Sequence, residues 1–168
     1  MKQTALITGA SEGLGRTFAI QLANQGYRTI CVARNEQRMR ELTDQLAEGH
    51  RYHVADLARA QGVESTVSEL ERQHVHVFVN NAGFSRFGTF HELDFETEEK
   101  ILHVNIHALM RFSHAFLQQA EAGDSLINLS SITHSLTTPI QPTYCATKSF
   151  IASFSESLWY QNRKRGVY

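Results

Sequence analysis

Short apolar runs alternate with longer amphipathic segments along this chain. Residues 5–7 and 29–33 carry almost no polar side chain on either face, which is typical of strands covered on both sides in a parallel sheet. The segments between such runs repeat apolar residues every three or four positions, which predicts helices with one buried face. We therefore expect an α/β fold in which helices cover both faces of one parallel sheet.

The pattern places strands and helices in alternation. The predicted strands span residues 5–7, 29–33, 52–55, 75–79 and 126–129. The predicted helices span residues 14–25, 36–47, 60–73, 97–120 and 144–163. The final residues, from Arg165 to Tyr168, predict the opening of a sixth strand.

The bulk composition is that of an ordinary globular domain. The 168 residues are 42% hydrophobic and 20% charged, with a formal net charge of −1. This length supports one domain with its own core, and the balanced charge argues against a basic nucleic-acid surface. No apolar run is long enough to span a membrane. Cys31 and Cys145 show no CxxC spacing, so we expect two reduced thiols in a cytoplasmic protein.

The nine histidines raise the hypothesis of a metal site. His103 and His107 are four residues apart on one predicted helix, a spacing that metal ligands use. No carboxylate completes a metalloprotease-type HExxH pattern around them, so the sequence does not favour a metal site.

A glycine-rich turn follows the first predicted strand. Gly9, Gly13 and Gly15 form the spacing TGxxxGxG directly before the first predicted helix. Glycines at such a turn let the backbone approach a pyrophosphate, which rests on the helix N-terminus and its dipole. An ordinary strand-to-helix turn is the alternative when this motif is taken alone.

The residue after the second predicted strand bears on the choice of dinucleotide. NAD sites place an acidic residue about 20 positions after the glycines, where it accepts a hydrogen bond from the ribose 2′-hydroxyl. Here Arg34 follows Ala33, and a guanidinium suits bidentate contact with a 2′-phosphate. We therefore favour NADP over NAD, with a solvated arginine at a strand end as the alternative. Glu12 in the glycine turn counts mildly against NADP.

A phenol, an ammonium and a hydroxyl are predicted to meet near the end of the fifth strand. Tyr144 and Lys148 are four residues apart, so a helix that begins at Tyr144 stacks them on one face. A phenol has a pKa of about 10 in water, and a nearby ammonium stabilises its ionised form. Ser131, at the end of the fifth strand, is placed to share the same substrate oxygen. These residue types predict a proton-transfer site that needs a redox partner.

Four motifs in this order resemble those of the short-chain dehydrogenase/reductase family. They are the glycine turn, Asn80-Asn81-Ala82-Gly83, Ser131, and Tyr144-Cys145-Ala146-Thr147-Lys148. The resemblance extends from Lys2 to the last residue and is to the single-domain NAD(P)-dependent oxidoreductases of that family. It implies a Rossmann-type doubly wound parallel sheet, a three-layer α/β/α sandwich, with the ligand beyond the carboxyl ends of the strands.

The resemblance also implies roles for single residues. Ser131 would polarise the substrate oxygen, and Tyr144 would exchange a proton with it. Lys148 would stabilise the phenolate and bind the nicotinamide ribose. Asn105 would break its helix locally and hold a water in the proton relay. The residues implied to contact the cofactor are Gly9, Ser11, Gly13, Leu14, Gly15, Arg34, Asp56, Leu57, Asn81, Ala82, Gly83, Val104, Tyr144 and Lys148.

Two roles are possible for Asp56 from the sequence. The resemblance implies that it accepts from the adenine amino group, with Leu57 packed beside the ring. The chemistry of the residue alone equally supports a helix N-cap for the segment that starts near Ala58.

The resemblance further implies that family members continue beyond the length of this chain. We expect residues 1–168 to form a single NAD(P)-binding domain that lacks the last strands and the C-terminal substrate-binding portion, as a piece of a longer enzyme. A naturally shortened chain is the alternative. The fifth strand would then lie unpaired at the sheet edge.

The implied activity is NADP-dependent hydride transfer between nicotinamide and a carbonyl or alcohol. The implied assembly is a homodimer or homotetramer that pairs through the two long helices. The alternative is a catalytically incomplete NAD(P)-binding fragment that acts as a binding or regulatory module. Nucleotide-sugar epimerases and dehydratases with the same Tyr and Lys rank lower, because their glycine spacing differs.

Overall fold

A parallel β-sheet runs through the part of the chain that the computed structural model describes, residues 3–46 and 48–168. Within those residues the sheet has five strands in the order β3-β2-β1-β4-β5. The strands are β1 Thr4–Thr8, β2 Arg28–Ala33, β3 Arg51–Val54, β4 Val77–Asn80 and β5 Ser125–Asn128. The strand order reverses between β1 and β4, and ligands of such sheets bind beyond the carboxyl ends at that point. The predicted Rossmann-type α/β fold is confirmed.

Helices connect successive strands, as predicted. They are α1 Gly13–Asn24, α2 Glu36–Gln45, α3 Ala60–Glu71, α4 Phe95–Leu102, α5 Leu109–Gln119 and α6 Pro142–Asn162. The predicted end of the second helix at Ala47 lies outside the described residues. Within the described ranges, no helix is both long and apolar enough to cross a bilayer.

A π-helical turn, His103–Ala108, interrupts residues 97–120 and separates α4 from α5, which is the local break expected at Asn105. One predicted helix start was wrong. The last helix begins at Pro142 rather than Tyr144. Proline is favoured at the first helical position because its fixed φ suits the helix and no amide hydrogen is needed there. Tyr144 therefore lies inside the first turn of α6.

Both faces of the central strands β2, β1 and β4 are buried, which explains the continuous apolar runs. Alternate residues of a strand point to opposite faces. Leu6 and Phe78 contribute to a core with residues of α3 and α5, whereas Ile7 and Val79 contribute to a second core with residues of α1 and α2. The ring of Phe78 lies 6.2 Å from that of Phe112 and 5.9 Å from that of Phe116, both on α5.

The outer edge of β5 is partly paired, so the expectation of an unpaired strand was wrong at this point. Tyr168 N donates to Asp124 O at 2.9 Å, and Leu126 N donates to Tyr168 O at 2.7 Å. The final residue therefore lies beside β5 as a parallel strand would.

The ends of β1 and β4 are joined by the Thr8 hydroxyl. Thr8 Oγ1 accepts from the backbone amides of Asn81 at 3.1 Å and Ala82 at 3.0 Å. It also donates to Val79 O at 3.4 Å. Thr8 is fully buried, so this one side chain fixes the segment after β4 against the start of the glycine turn.

We predict that Thr8→Val lowers the free energy of unfolding by about 1–3 kcal/mol, because two backbone amides lose their acceptor. Thr4→Val is the matched control on the same strand. Thr4 is also buried, and its hydroxyl makes no hydrogen bond to the described residues, so we expect a change below about 1 kcal/mol. Urea denaturation measures both variants, and equal losses would contradict the role given to Thr8.

Candidate active site

The glycine turn between β1 and α1 is tightly packed against Asn81. The Asn81 Nδ2 group donates to Thr8 O at 2.9 Å and to Gly9 O at 3.1 Å. A Cβ at Gly15 would lie 2.2 Å from Gly9 O and 2.5 Å from Asn81 Nδ2. Gly9 also has a φ of +69°, in the left-handed region that favours glycine. The turn therefore requires glycine at both positions.

A cleft of about 760 Å³ opens at the carboxyl ends of the strands. Ten of the residues that the sequence assigned to the cofactor line it together: Gly9, Ser11, Leu14, Arg34, Asp56, Leu57, Asn81, Ala82, Gly83 and Val104. Gly13 and Gly15 shape the turn but do not line the cleft, and neither do Tyr144 and Lys148. The predicted set thus divides into a large group in the cleft and a smaller group beside it.

Sequence reasoning missed Asn35, Arg38 and Phe84 in the cleft lining. Asn35 Oδ1 accepts from Arg38 N at 3.0 Å and so caps the start of α2. The Arg38 guanidinium forms an ion pair with Glu12 of the glycine turn. A cation in the first turn of a helix interacts unfavourably with the helix dipole. This unfavourable position of Arg38 is the feature of the sequence that could have identified it as a cleft residue.

Asp56 supports the turn before α3 as well as lining the cleft. Asp56 Oδ1 accepts from Ala58 N at 3.1 Å, and its carboxylate pairs with Arg59 at 3.5 Å. The N-cap of α3 is Arg59, so the alternative interpretation of Asp56 as that N-cap was wrong.

The lining fits a dinucleotide. The N-terminus of α1, with Leu14 and the glycine turn, offers backbone amides for a pyrophosphate. Leu57 and Val104 supply apolar surface for a flat ring, and Arg34 supplies a cation. Among the described residues, Arg34 has no acidic partner and is exposed.

Lys148 lies beside the cleft with a buried ammonium. Its side chain is on α6, the residue is only 5% exposed, and Nζ donates to Leu129 O at 2.7 Å. Nζ also lies 3.7 Å from the position that a Cβ would take at Gly83, and 5.5 Å from the centre of the Tyr144 ring. Burial lowers the pKa of Lys148 to about 8.

Asn105 lies in the π-helical turn, where the expected local break of the helix is present. Its Oδ1 accepts from Phe84 N at 3.1 Å, and its Nδ2 donates to Phe84 O at 3.0 Å. Nδ2 also donates to Thr147 Oγ1 at 3.1 Å, and that hydroxyl donates to Tyr144 O at 2.7 Å. Thr147 is fully buried and was not assigned a role from the sequence. These bonds connect the segment after β4 to the helix that carries Tyr144 and Lys148.

Ser131 lies in the segment between β5 and α6. Its Oγ accepts from Thr133 N at 3.2 Å, at the start of a 3₁₀ turn. Two hydrogen bonds, one on each side of Ser131 in the sequence, join this segment to α6. Ser130 Oγ donates to Lys148 O at 2.7 Å, and Ser149 Oγ donates to His134 O at 2.8 Å. Ser131 is therefore anchored next to the same helix.

The histidines and cysteines show no metal-binding arrangement. Across residues 3–46 and 48–168, no three His, Cys, Asp or Glu side chains are grouped so that they can hold a metal ion. The rings of His103 and His107 stack at 4.6 Å. Cys31 and Cys145 are both free and buried, and burial raises the pKa of Cys31 to about 11.

We predict that the burial of Lys148 gives the protein a specific pH dependence of stability. The folded-state pKa of about 8 lies below the value of about 10.4 for an unfolded lysine. Between these values the unfolded chain binds more protons, so the free energy of unfolding rises with pH in this window. Relative to Lys148→Met, the wild type should therefore gain stability between about pH 7 and about pH 9.5.

Urea denaturation at the two pH values measures this difference. Lys164→Met, at an exposed lysine, is the control, and its difference from wild type should not change with pH. A constant difference between wild type and Lys148→Met would contradict a buried ammonium.

Comparison with known sequences places the chain in one family. Residues 3–168 match the profile of the family described as short chain dehydrogenase. Sulfoacetaldehyde reductase 2 from Chromohalobacter salexigens is 32% identical over 99% of this chain and 69% of its own length. A very-long-chain 3-oxoacyl-CoA reductase from Laccaria bicolor is 30% identical over 97% of this chain and 51% of its own length.

Comparison with solved structures supports the same family. The bulky-bulky ketone specific alcohol dehydrogenase from Comamonas testosteroni superposes with a TM-score of 0.92 at 28% identity, over 99% of this chain and 69% of its own. A short-chain dehydrogenase from Sphingobium yanoikuyae in complex with NADPH superposes with a TM-score of 0.91 at 28% identity, over 99% of this chain and 68% of its own. This chain thus spans between about half and about two-thirds of the length of these relatives. It belongs to the short chain dehydrogenase family.

Proposed function

We propose that this chain is an NADP-dependent oxidoreductase that transfers a hydride between nicotinamide and a carbonyl or alcohol substrate. The observation that carries the proposal is the buried Lys148 ammonium, which lies near both the Tyr144 ring and Gly83 at the edge of the cleft. A buried ammonium is energetically unfavourable, and such groups are concentrated at functional sites.

The cleft residues bind and orient the dinucleotide. The glycine turn and the N-terminus of α1 hold the pyrophosphate, and Asn81 to Gly83 contact the adenosine ribose. Asp56 and Leu57 contact the adenine, and the exposed, unpaired Arg34 favours a 2′-phosphate and hence NADP over NAD. When bound, the nicotinamide supplies or accepts the hydride.

Tyr144 is the proton donor in reduction and the acceptor in oxidation. The Lys148 ammonium, 5.5 Å from the centre of the Tyr144 ring, assists this proton transfer electrostatically and binds the nicotinamide ribose. With a pKa of about 8, Lys148 is still mostly charged at neutral pH, so it can perform both roles there.

Ser131 holds and polarises the substrate oxygen, and its anchoring on α6 keeps it at a fixed distance from the helix of Tyr144. Asn105 positions this helix through Thr147 and takes part in the proton relay through a water.

Relatives support the reaction class. Two of them are reductases by name, of sulfoacetaldehyde and of 3-oxoacyl-CoA, and another was solved in complex with NADPH. Carbonyl reduction with NADPH is accordingly the direction we propose, on a small-molecule substrate.

We also propose that residues 1–168 act as a single cofactor-binding domain, that the protein is cytoplasmic, and that it forms a homodimer or homotetramer. The two long helical segments expose Leu102, Met110 and Trp159, which are between 42% and 48% exposed and offer apolar surface for pairing. Sedimentation velocity measures this assembly directly.

We predict that Tyr144→Phe retains NADPH affinity within about twofold and lowers turnover by about 10²–10⁴, because the proton donor is lost. Tyr160→Phe is the matched control, since Tyr160 lies on the same helix and is 55% exposed. NADPH fluorescence titration gives the affinity, and absorbance loss with a panel of ketones gives the turnover.

Retained turnover in Tyr144→Phe would contradict the assigned proton donor. A wild-type protein that binds NADPH but oxidises it with none of the ketones would favour the alternative, a cofactor-binding module without catalysis.

A further inference from the structure

A buried hydroxyl joins Asn105 to the helix that carries Tyr144. Thr147 is fully buried on α6, directly before Lys148. Its Oγ1 accepts from Asn105 Nδ2 at 3.1 Å and donates to Tyr144 O at 2.7 Å. The hydroxyl therefore contacts two of the residues to which the proposed function assigns the proton transfer.

The Thr147 hydroxyl also determines which atom of Asn105 is left for a further contact. A carboxamide nitrogen has two hydrogens, and those of Asn105 are donated to Phe84 O at 3.0 Å and to Thr147 Oγ1. Asn105 Oδ1 accepts from Phe84 N at 3.1 Å and keeps a second lone pair. A Cβ at Gly83 would lie 3.1 Å from this oxygen and 3.7 Å from Lys148 Nζ. The accepting atom of Asn105 is thus the one on the side of the Lys148 ammonium.

Other hydrogen bonds at the start of α6 lead to a different segment. The side chains of Lys148 and Ser149 donate to backbone carbonyls within residues 129–134. Thr147 instead connects the helix, through the Asn105 carboxamide, to the segment after β4 that lines the cleft. Without the hydroxyl, α6 would stay bonded to residues 129–134 but would lose this connection to the cleft.

We propose that Thr147 is a positioning residue that holds the Tyr144 phenol and the Lys148 ammonium in a fixed place relative to the cofactor cleft. The inference rests on the proposed function and deepens it. Thr147 acts through Asn105 and through the backbone of Tyr144. A misplacement of reacting groups by about 1 Å can lower a rate by about 10²-fold, so loss of the hydroxyl should reduce turnover far more than cofactor binding.

The experiment compares two substitutions of Thr147. Thr147→Val removes the hydroxyl at nearly constant shape, whereas Thr147→Ser keeps it. Thr66→Val is the matched control, because Thr66 is also fully buried and its hydroxyl donates to Gly62 O at 2.8 Å within its own helix, α3. NADPH fluorescence titration gives the affinity and the number of sites per chain. Absorbance loss with a panel of ketones gives kcat and KM, and urea denaturation gives the stability of each variant.

We expect Thr147→Val to lower kcat by about 10- to 100-fold while NADPH affinity stays within about threefold and the number of sites per chain is unchanged. Thr147→Ser and Thr66→Val should both keep kcat within about threefold. If Thr147→Val does not fold, Thr147→Ala takes its place with the same expectation, because it also lacks the hydroxyl. An unchanged kcat without the hydroxyl, no rescue by serine, or an equal loss in Thr66→Val would overturn the inference.

A double variant separates positioning from a general loss of stability. In an Asn105→Ala background the connection to the cleft is already absent, so Thr147→Val should lower the residual kcat by less than about twofold. A loss as large as that in the wild-type background would overturn the inference, because the hydroxyl would then act independently of Asn105. Failure of the wild type to reduce any ketone would instead contradict the proposed function on which the inference depends, and would overturn both.

Discussion

The hydrogen bonds of Thr8 and Asn81 are the constraint on which the arrangement of the site depends. They join the ends of β1 and β4, where the strand order reverses. The glycine turn and the segment from Asn81 to Gly83 are thereby held side by side. Because Gly83 is also next to Asn105 Oδ1 and Lys148 Nζ, the same constraint sets the distance between the cleft and helix α6.

A second set of contacts connects this region to helix α6, which carries the proposed proton-transfer residues Tyr144 and Lys148. The Asn105 carboxamide binds the backbone of Phe84 on one side and Thr147 on the other. Asn105 lies in a π-helical turn, a type of helix irregularity that is frequent at functional sites. Lys148 completes the connection by donating to Leu129 at the end of β5. The buried ammonium is thus held between two strand ends and one helix.

The sequence was most informative where a local rule dictates the structure. Continuous apolar runs predicted buried parallel strands. The spacing of Gly9 and Gly15 predicted a tight turn, and in the structure the packing of this turn against Asn81 leaves no room for a Cβ at either position. It was less informative where contacts come from distant segments. Thr147 accepts a hydrogen bond from Asn105, which is 42 positions away, and Arg38 pairs with Glu12, which is 26 positions away. The last helix begins two residues before the predicted start, because Pro142 was assigned to the preceding loop rather than to the first helical position.

The central claim is that the bound nicotinamide delivers its hydride to a carbonyl carbon next to Tyr144. The most direct measurement is deuterium transfer from NADPH labelled at C4 of the nicotinamide to a panel of simple ketones, followed by mass spectrometry of the alcohols. The account predicts one deuterium at the carbinol carbon from one of the two labelled faces and none from the other. Alcohol product without deuterium from either face, or bound NADPH that is never oxidised, would contradict it.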